Sequence, residues 1–209
     1  DDIRGGDGDD WVDGGPDDDT IAGGDGNDTL YGGDGADKVN GAAGDDLIFG
    51  GARKDGLKGG AGDDIMFGQD SNDRLVFAGS GADVAVGGTG DDVIVWVQAT
   101  DGNDGQWDLA IGDDALVAVD GAYESRAPDT SPGSDLLLVT VDDAATAAAL
   151  EAEIRAEYDG ESLTFLDTIG MAIAEIDRVR IKVADNSADP VTLKGADFAG
   201  PSSGGRAIR

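Results

Sequence analysis

Cysteine and histidine are both absent from the 209 residues. Without cysteine no disulfide framework can form. Lacking both, the chain is also excluded from Cys/His zinc sites, serine–histidine triads and the histidine-bearing metalloprotease motifs. Basic residues are scarce: 14 Lys and Arg stand against 45 Asp and Glu, a formal charge of −31. That excess repels nucleic acid and anionic membrane surfaces, and it weakens any compact state that lacks counter-ions. No apolar run reaches about 18 residues, so no transmembrane span is expected. No apolar signal-peptide core is found, and the chain opens at Asp1 rather than Met, which reads as part of something longer or a processed product. A chain this acidic is either disordered or completed by something cationic.

What the chain does have is a period of nine. The units are GGDGDDWVD (5–13), GGPDDDTIA (14–22), GGDGNDTLY (23–31), GGDGADKVN (32–40) and GAAGDDLIF (41–49). They continue as GGARKDGLK (50–58), GGAGDDIMF (59–67) and GQDSNDRLV (68–76). Phe77 is an extra residue, after which AGSGADVAV (78–86) and GGTGDDVIV (87–95) resume the register. All ten units hold aspartate at the sixth position: Asp10, Asp19, Asp28, Asp37, Asp46, Asp55, Asp64, Asp73, Asp83 and Asp92. The eighth position is apolar throughout: Val12, Ile21, Leu30, Val39, Ile48, Leu57, Met66, Leu75, Ala85 and Ile94.

Calcium chemistry explains the pattern. The ion takes about six to eight hard oxygen ligands at about 2.3–2.6 Å. A glycine-rich hexapeptide can enter positive φ and turn its carbonyls towards one point. The candidate carbonyl donors are those of the turns at Gly6, Gly8, Gly15, Gly24, Gly26, Gly33, Gly35, Gly44, Gly51, Gly60, Gly62, Gly81, Gly88 and Gly90. The following aspartate adds carboxylate oxygens and cancels charge. Three residues such as Thr29-Leu30-Tyr31 then form a short strand whose middle side chain points inward. One turn offers too few ligands, so a site needs two. The fifth-position acids Asp9, Asp18, Asp45, Asp63 and Asp91 are weaker candidates, because their side chains are expected to face solvent and mainly to raise the local negative potential.

These units resemble the RTX (repeats-in-toxin, hemolysin-type) family, whose consensus is G-G-x-G-x-D-x-U-x. Residues 23–31 match it at every defined position. Departures are Asp17 and Lys54 where the fourth glycine belongs, Ala42 and Gln69 at the second position, and Ser71 at the fourth. The resemblance implies a mainly β fold: a right-handed parallel β-roll (β-helix) of ten nonapeptide repeats, two per turn, with ions between turns n and n+2. One column of loops would hold Asp10, Asp28, Asp46, Asp64 and Asp83; the other Asp19, Asp37, Asp55, Asp73 and Asp92. Five loops per column leave four gaps, hence up to eight Ca²⁺. Residues 1–95 carry 23 acidic and 6 basic side chains, or −17, which eight divalent ions would nearly neutralise. The ion-free chain is then expected to be largely unfolded by self-repulsion.

Positions seven and nine flank the inward residue and face outward. In alternate units they are apolar, as in Leu47 and Phe49, Ile65 and Phe67, Val84 and Val86, with Tyr31 one turn earlier. In the intervening units they stay largely polar, as in Lys38 and Asn40 or Gly56 and Lys58. One sheet is therefore expected to carry an apolar outer stripe needing cover, either from residues 96–209 folding back or from a partner.

Composition changes after Val95, beyond which only 11 of the 36 glycines fall. Residues 96–199 read as an α+β flanking and capping region with one helix, and 200–209 as a disordered tail. Residues 92–122 resemble the degenerate flank of RTX arrays, with Gly102-Asn103-Asp104 a vestigial unit and Trp96 and Trp107 covering the open end of the coil. Residues 124–134 read as an exposed loop. Strands are expected over Leu136–Val141, 163–166 and 177–183, the last presenting Arg178, Arg180 and Lys182 on one face. A helix capped by Asp142 or Asp143 is expected through about Tyr158, with Leu150, Ile154 and Tyr158 on one face.

No catalytic constellation emerges, and neither a nucleophile elbow nor a P-loop is present. The expected function is calcium binding by a folding and structural module of a large secreted or cell-surface protein of adhesin, S-layer or toxin-like type. The alternative is the non-catalytic C-terminal module of an exported protease, lipase or alginate epimerase. The resemblance implies an extracellular setting and type I secretion, with the rest of a larger polypeptide or neighbouring subunits as partners.

Overall fold

The computed structural model describes residues 1–97, 108–112, 136–141, 144–158, 164–166, 171–174, 176, 178–183, 190–194 and 197. The repeats form β1 (Asp2–Asp7), β2 (Trp11–Pro16), β3 (Thr20–Asp25), β4 (Thr29–Asp34), β5 (Lys38–Ala43) and β6 (Leu47–Ala52). They go on as β7 (Gly56–Ala61), β8 (Ile65–Asp70), β9 (Arg74–Val76), β10 (Val84–Thr89) and β11 (Val93–Val97). Beyond them lie β12 (Asp108–Ile111), β13 (Leu136–Val141), α1 (Ala144–Glu157), β14 (Thr164–Leu166), β15 (Met171–Ala174), β16 (Arg178–Val183) and β17 (Val191–Lys194).

Successive strands alternate between two sheets, so the repeats wind a parallel β-solenoid of about five turns. Most strands run six residues rather than three, because the first three residues of one unit extend the last three of the unit before. Pairing is parallel and offset by two units, as in Leu30 with Ile48 and Ile48 with Met66. At Phe77 the offset lengthens by one residue, Met66 pairing with Ala85. The extra ring is fully buried, and its amide donates to the Val95 carbonyl at 3.0 Å.

Every eighth-position side chain from Val12 to Ile94 is buried in one core. That follows from the alternation of side chains along a strand, which leaves only the middle residue of each triplet pointing inward. On the outer face of the even-numbered sheet, Tyr31, Phe49 and Phe67 stack at centroid separations of 4.8 and 5.2 Å. These are close to the interstrand spacing, since each ring sits on the next strand. Trp11 meets Tyr31 at 5.9 Å and is the exposed end of the ladder. Phe49, Phe67 and Val86 are buried, with Leu47, Ile65, Val84 and Leu109 packed against them.

Residues beyond Val97 supply further strands. They extend the two sheets edge-on: β12 pairs parallel with β10, and β13 with β11. β15 and β16 then add in parallel to β12 and β13. β14 and β17 are antiparallel to their neighbours and end the two sheets. Trp96 does not cover an open end. It is buried in the shared core within β11, and the sheet continues past it to β13. The helix forms where expected, with Leu150, Ile154 and Tyr158 buried. The Tyr158 hydroxyl donates to the Ile176 carbonyl at 2.9 Å and accepts the Ile176 amide at 2.6 Å. Val179, Ile181 and Val183 are buried while Arg180 and Lys182 are exposed, as their alternation requires. Strands β12, β15 and β17 had no expectation. Trp107, Asp142, Asp143, the 102–104 unit, the 124–134 loop and the 200–209 tail lie outside the described residues. Among the described residues no helix is long and apolar enough to cross a membrane.

Candidate metal centre

The sixth-position aspartates stand in two columns, one above another at each turn. In the first, the amides of Asp10, Asp28, Asp46 and Asp64 donate to Oδ1 of Asp28, Asp46, Asp64 and Asp83 at 2.8–2.9 Å. In the second, Asp19, Asp37, Asp55 and Asp73 donate likewise to Asp37, Asp55, Asp73 and Asp92 at 2.7–2.8 Å. Each carboxylate thus ties its own turn to the one before it. Its second oxygen is treated differently. Oδ2 of Asp10, Asp19, Asp28, Asp37, Asp46, Asp55, Asp64 and Asp73 is buried and accepts no hydrogen bond.

A buried carboxylate oxygen without a donor is costly, and the group resists ionisation unless a cation approaches. Burial pushes the carboxyl of Asp46 up to about 6, Asp55 to about 7, Asp64 to about 8 and Asp73 to about 9. Asp37 is raised for the same reason. The amide bond opposes the shift in each case, and the like charge of neighbouring aspartates adds to it.

The glycines shape the space around these oxygens. A Cβ on first-position Gly50 would stand 2.7 Å from both Asp55 Oδ2 and Gly68 O. On Gly14 it would meet Gly32 O at 2.5 Å and Asp19 Oδ2 at 2.7 Å. At these turns the first-position glycine is therefore required by the carboxylate it faces, a role that the repeat pattern contains but that the positive-φ argument overlooks; the 78–86 unit, displaced by Phe77, has Ala78 there.

At the second and fourth positions backbone conformation decides. Gly6, Gly8, Gly15, Gly24, Gly26, Gly33, Gly44, Gly51, Gly60, Gly62, Gly81, Gly88 and Gly90 all have positive φ, and Gly79 joins them. Gly35 alone among the expected glycines does not. The five other positive-φ residues are Asp17, Ala42, Arg53, Gln69 and Ser71, at 76–96°. The fourth position of the 50–58 unit is thus Arg53; Lys54 is the fifth-position residue, which corrects its assignment above. Carbonyls of glycine and non-glycine alike point up the stack: a Cβ on Gly60 would overlap Ala42 O, and one on Gly88 would overlap Gln69 O.

The exposed fifth-position side chains make a ladder of their own. Asp9, Asn27, Asp45 and Asp63 each accept, at 2.9 Å, the amide of the fifth-position residue one turn on. Asp18 does the same for the Ala36 amide. Sequence reasoning weighed these acids as weaker ligand candidates and mainly as a source of negative potential; that Asn27 serves equally shows that the acceptor oxygen matters. It also missed Asp1 and Ile3, which occupy sixth and eighth positions. The Asp1 amino group bonds Asp19 Oδ1, the Thr20 amide donates to Asp1 O, and Ile3 pairs with Ile21.

Among the described residues no three acidic side chains converge on one point. A cation held here must therefore draw on backbone carbonyls as well as carboxylates, a hard all-oxygen donor set of the kind calcium prefers over softer metals. No curated protein matches the chain. The family model for the RTX calcium-binding nonapeptide repeat does match, in four copies at residues 1–30, 22–52, 49–79 and 77–95. Residues 1–95 are accordingly an array of RTX calcium-binding nonapeptide repeats.

Proposed function

We propose that this chain is a calcium-driven folding and structural module of a large secreted or cell-surface protein. The observation that carries the reading is the run of buried carboxylate oxygens from Asp10 to Asp73, four in each column, that accept no hydrogen bond. Their charges are separated by a single turn of coil and need a cation to coexist. The sixth-position aspartates and the turn carbonyls of the second and fourth positions are the assigned ligands. Four gaps in each column would hold up to eight ions, close to neutralising the −17 of residues 1–95.

Bound calcium supplies charge neutralisation and draws adjacent turns together. The chain's own groups do the rest: Oδ1 fixes the register between turns, glycine leaves room for Oδ2, and the eighth-position residues bury the core. In the cytosol, where calcium is scarce, such a chain stays unfolded and fit for type I export. At extracellular calcium, with affinities of about 10⁻⁴–10⁻³ M, it folds.

Calcium titration followed by far-ultraviolet circular dichroism tests this. A coil spectrum in EDTA that converts to β on adding calcium is expected. Full β signal in excess EDTA, unchanged by calcium, would overturn it.

A further inference from the structure

The two columns are built from the same consensus, yet their turns differ in two independent respects: the residues that take positive φ, with the stacking that follows from them, and the fifth-position ladder. In the Asp10 column the fourth position is glycine in every turn: Gly8, Gly26, Gly44, Gly62 and Gly81. In the Asp19 column it is Asp17, Gly35, Arg53, Ser71 and Gly90. Four of the five non-glycine residues with positive φ, namely Asp17, Arg53, Gln69 and Ser71, belong to the Asp19 column, and Ala42 alone to the other. Such backbone is strained for a residue with a Cβ.

Stacking repeats the contrast. Where a glycine holds the fourth position, the carbonyl one turn below reaches the space a Cβ would occupy, as Gly26 O does at Gly44 and Gly44 O at Gly62. Arg53 and Ser71 have that Cβ, so the carbonyls below them cannot approach as closely.

The fifth-position ladder is the second difference. In the Asp10 column it runs unbroken from Asp9 through Asn27, Asp45 and Asp63 to the Ala82 amide. In the Asp19 column Asp18 bonds the Ala36 amide, but Ala36 and Lys54 have no acceptor oxygen to pass on. Two exposed cations, Arg53 and Lys54, also immediately precede Asp55 and reduce its pull on a divalent ion.

Building on the calcium reading, we propose that the columns form two affinity classes, the Asp10 column holding calcium tightly and the Asp19 column holding it loosely. Ions on the Asp19 side exchange while the Asp10 side keeps the coil wound. The module then has a second, higher calcium threshold at which one edge stiffens without refolding.

Stopped-flow mixing of the calcium-loaded full chain with a fluorescent chelator tests this, with circular dichroism recorded in parallel. Release in two phases is expected, the faster by about tenfold and complete before β signal is lost. Asp55→Asn removes amplitude from the fast phase and Asp46→Asn from the slow one. The double change Arg53→Gly with Ser71→Gly slows the fast phase, and it decides the matter where Asp46→Asn fails to fold. A single phase, or a fast phase unmoved by the glycine pair, overturns the two classes while leaving calcium binding intact. Release of no calcium at all overturns the calcium reading itself.

Discussion

Oδ1 of Asp64 accepts the amide of Asp46 at 2.9 Å, while Oδ2 of the same carboxylate is buried and accepts no hydrogen bond. The two oxygens have separate tasks, one joining turns and one awaiting charge. Asp64→Asn keeps an amide-accepting oxygen and removes the charge. The calcium midpoint for folding is expected to rise by about tenfold or more. Asp63→Asn, at an exposed position where Asn27 already does the same work, is expected to move it by less than about twofold. Calcium titrations of both variants by circular dichroism make the comparison.

Acid is expected to substitute in part for calcium. Carboxyls at Asp46, Asp55, Asp64 and Asp73 are raised from 3.8 to about 6, 7, 8 and 9 by burial in the folded coil. A folded state that holds protons more tightly than the unfolded chain is favoured at low pH. Its advantage is complete below about 3.8 and disappears as pH rises through 6 to 9. In EDTA, β signal is therefore expected to grow as pH falls from 9 towards 4. Over the same range the calcium midpoint rises, because calcium must displace protons. A midpoint that falls on acidification would contradict this.

Ala42 has φ of 96°, in a column otherwise served by glycine at the second position. Ala42→Gly is expected to stabilise the calcium-loaded fold by about 1 kcal/mol. One turn on, Gly60→Ala is expected to destabilise it by more, since φ is 147° and a Cβ would overlap Ala42 O. Urea unfolding at saturating calcium measures both.

Tyr158 closes the far end by a different chemistry, its hydroxyl serving both the amide and the carbonyl of Ile176 in a buried setting. Tyr158→Phe leaves both backbone groups without that partner, at a cost of about 1–3 kcal/mol. Because no metal ligand is touched, the urea midpoint is expected to fall while the number of bound ions, read by equilibrium dialysis, is unchanged.

The repeats were legible because each position obeys one physical demand. An inward eighth residue must be apolar, and Val12 to Ile94 all are buried. The departures Asp17, Ala42, Gln69 and Ser71 were visible as consensus breaks, and all four take the strained backbone that glycine would have taken freely. The fifth-position ladder was not legible, since Asp9 and Asn27 bond amides 18 residues away and nothing in the local sequence announces the partner. Beyond Val95 the signal weakens for a related reason. β12, β15 and β17 are four-residue strands whose place is set by neighbours far along the chain: Asp108–Ile111 joins both β10 and β15. Short apolar runs of that kind have no period to read.

The aromatic ladder gives the chain a built-in optical readout. Trp11 is 67% exposed and lies 5.9 Å from Tyr31, whereas Trp96 is 1% exposed within the core. The two indoles stand at opposite ends of the repeat array and in opposite surroundings, so their emission colours differ once the coil is wound. With Trp107 replaced by Phe, the blue shift of Trp96 would time the arrival of order at its end against the steady red emission of Trp11, without any attached dye.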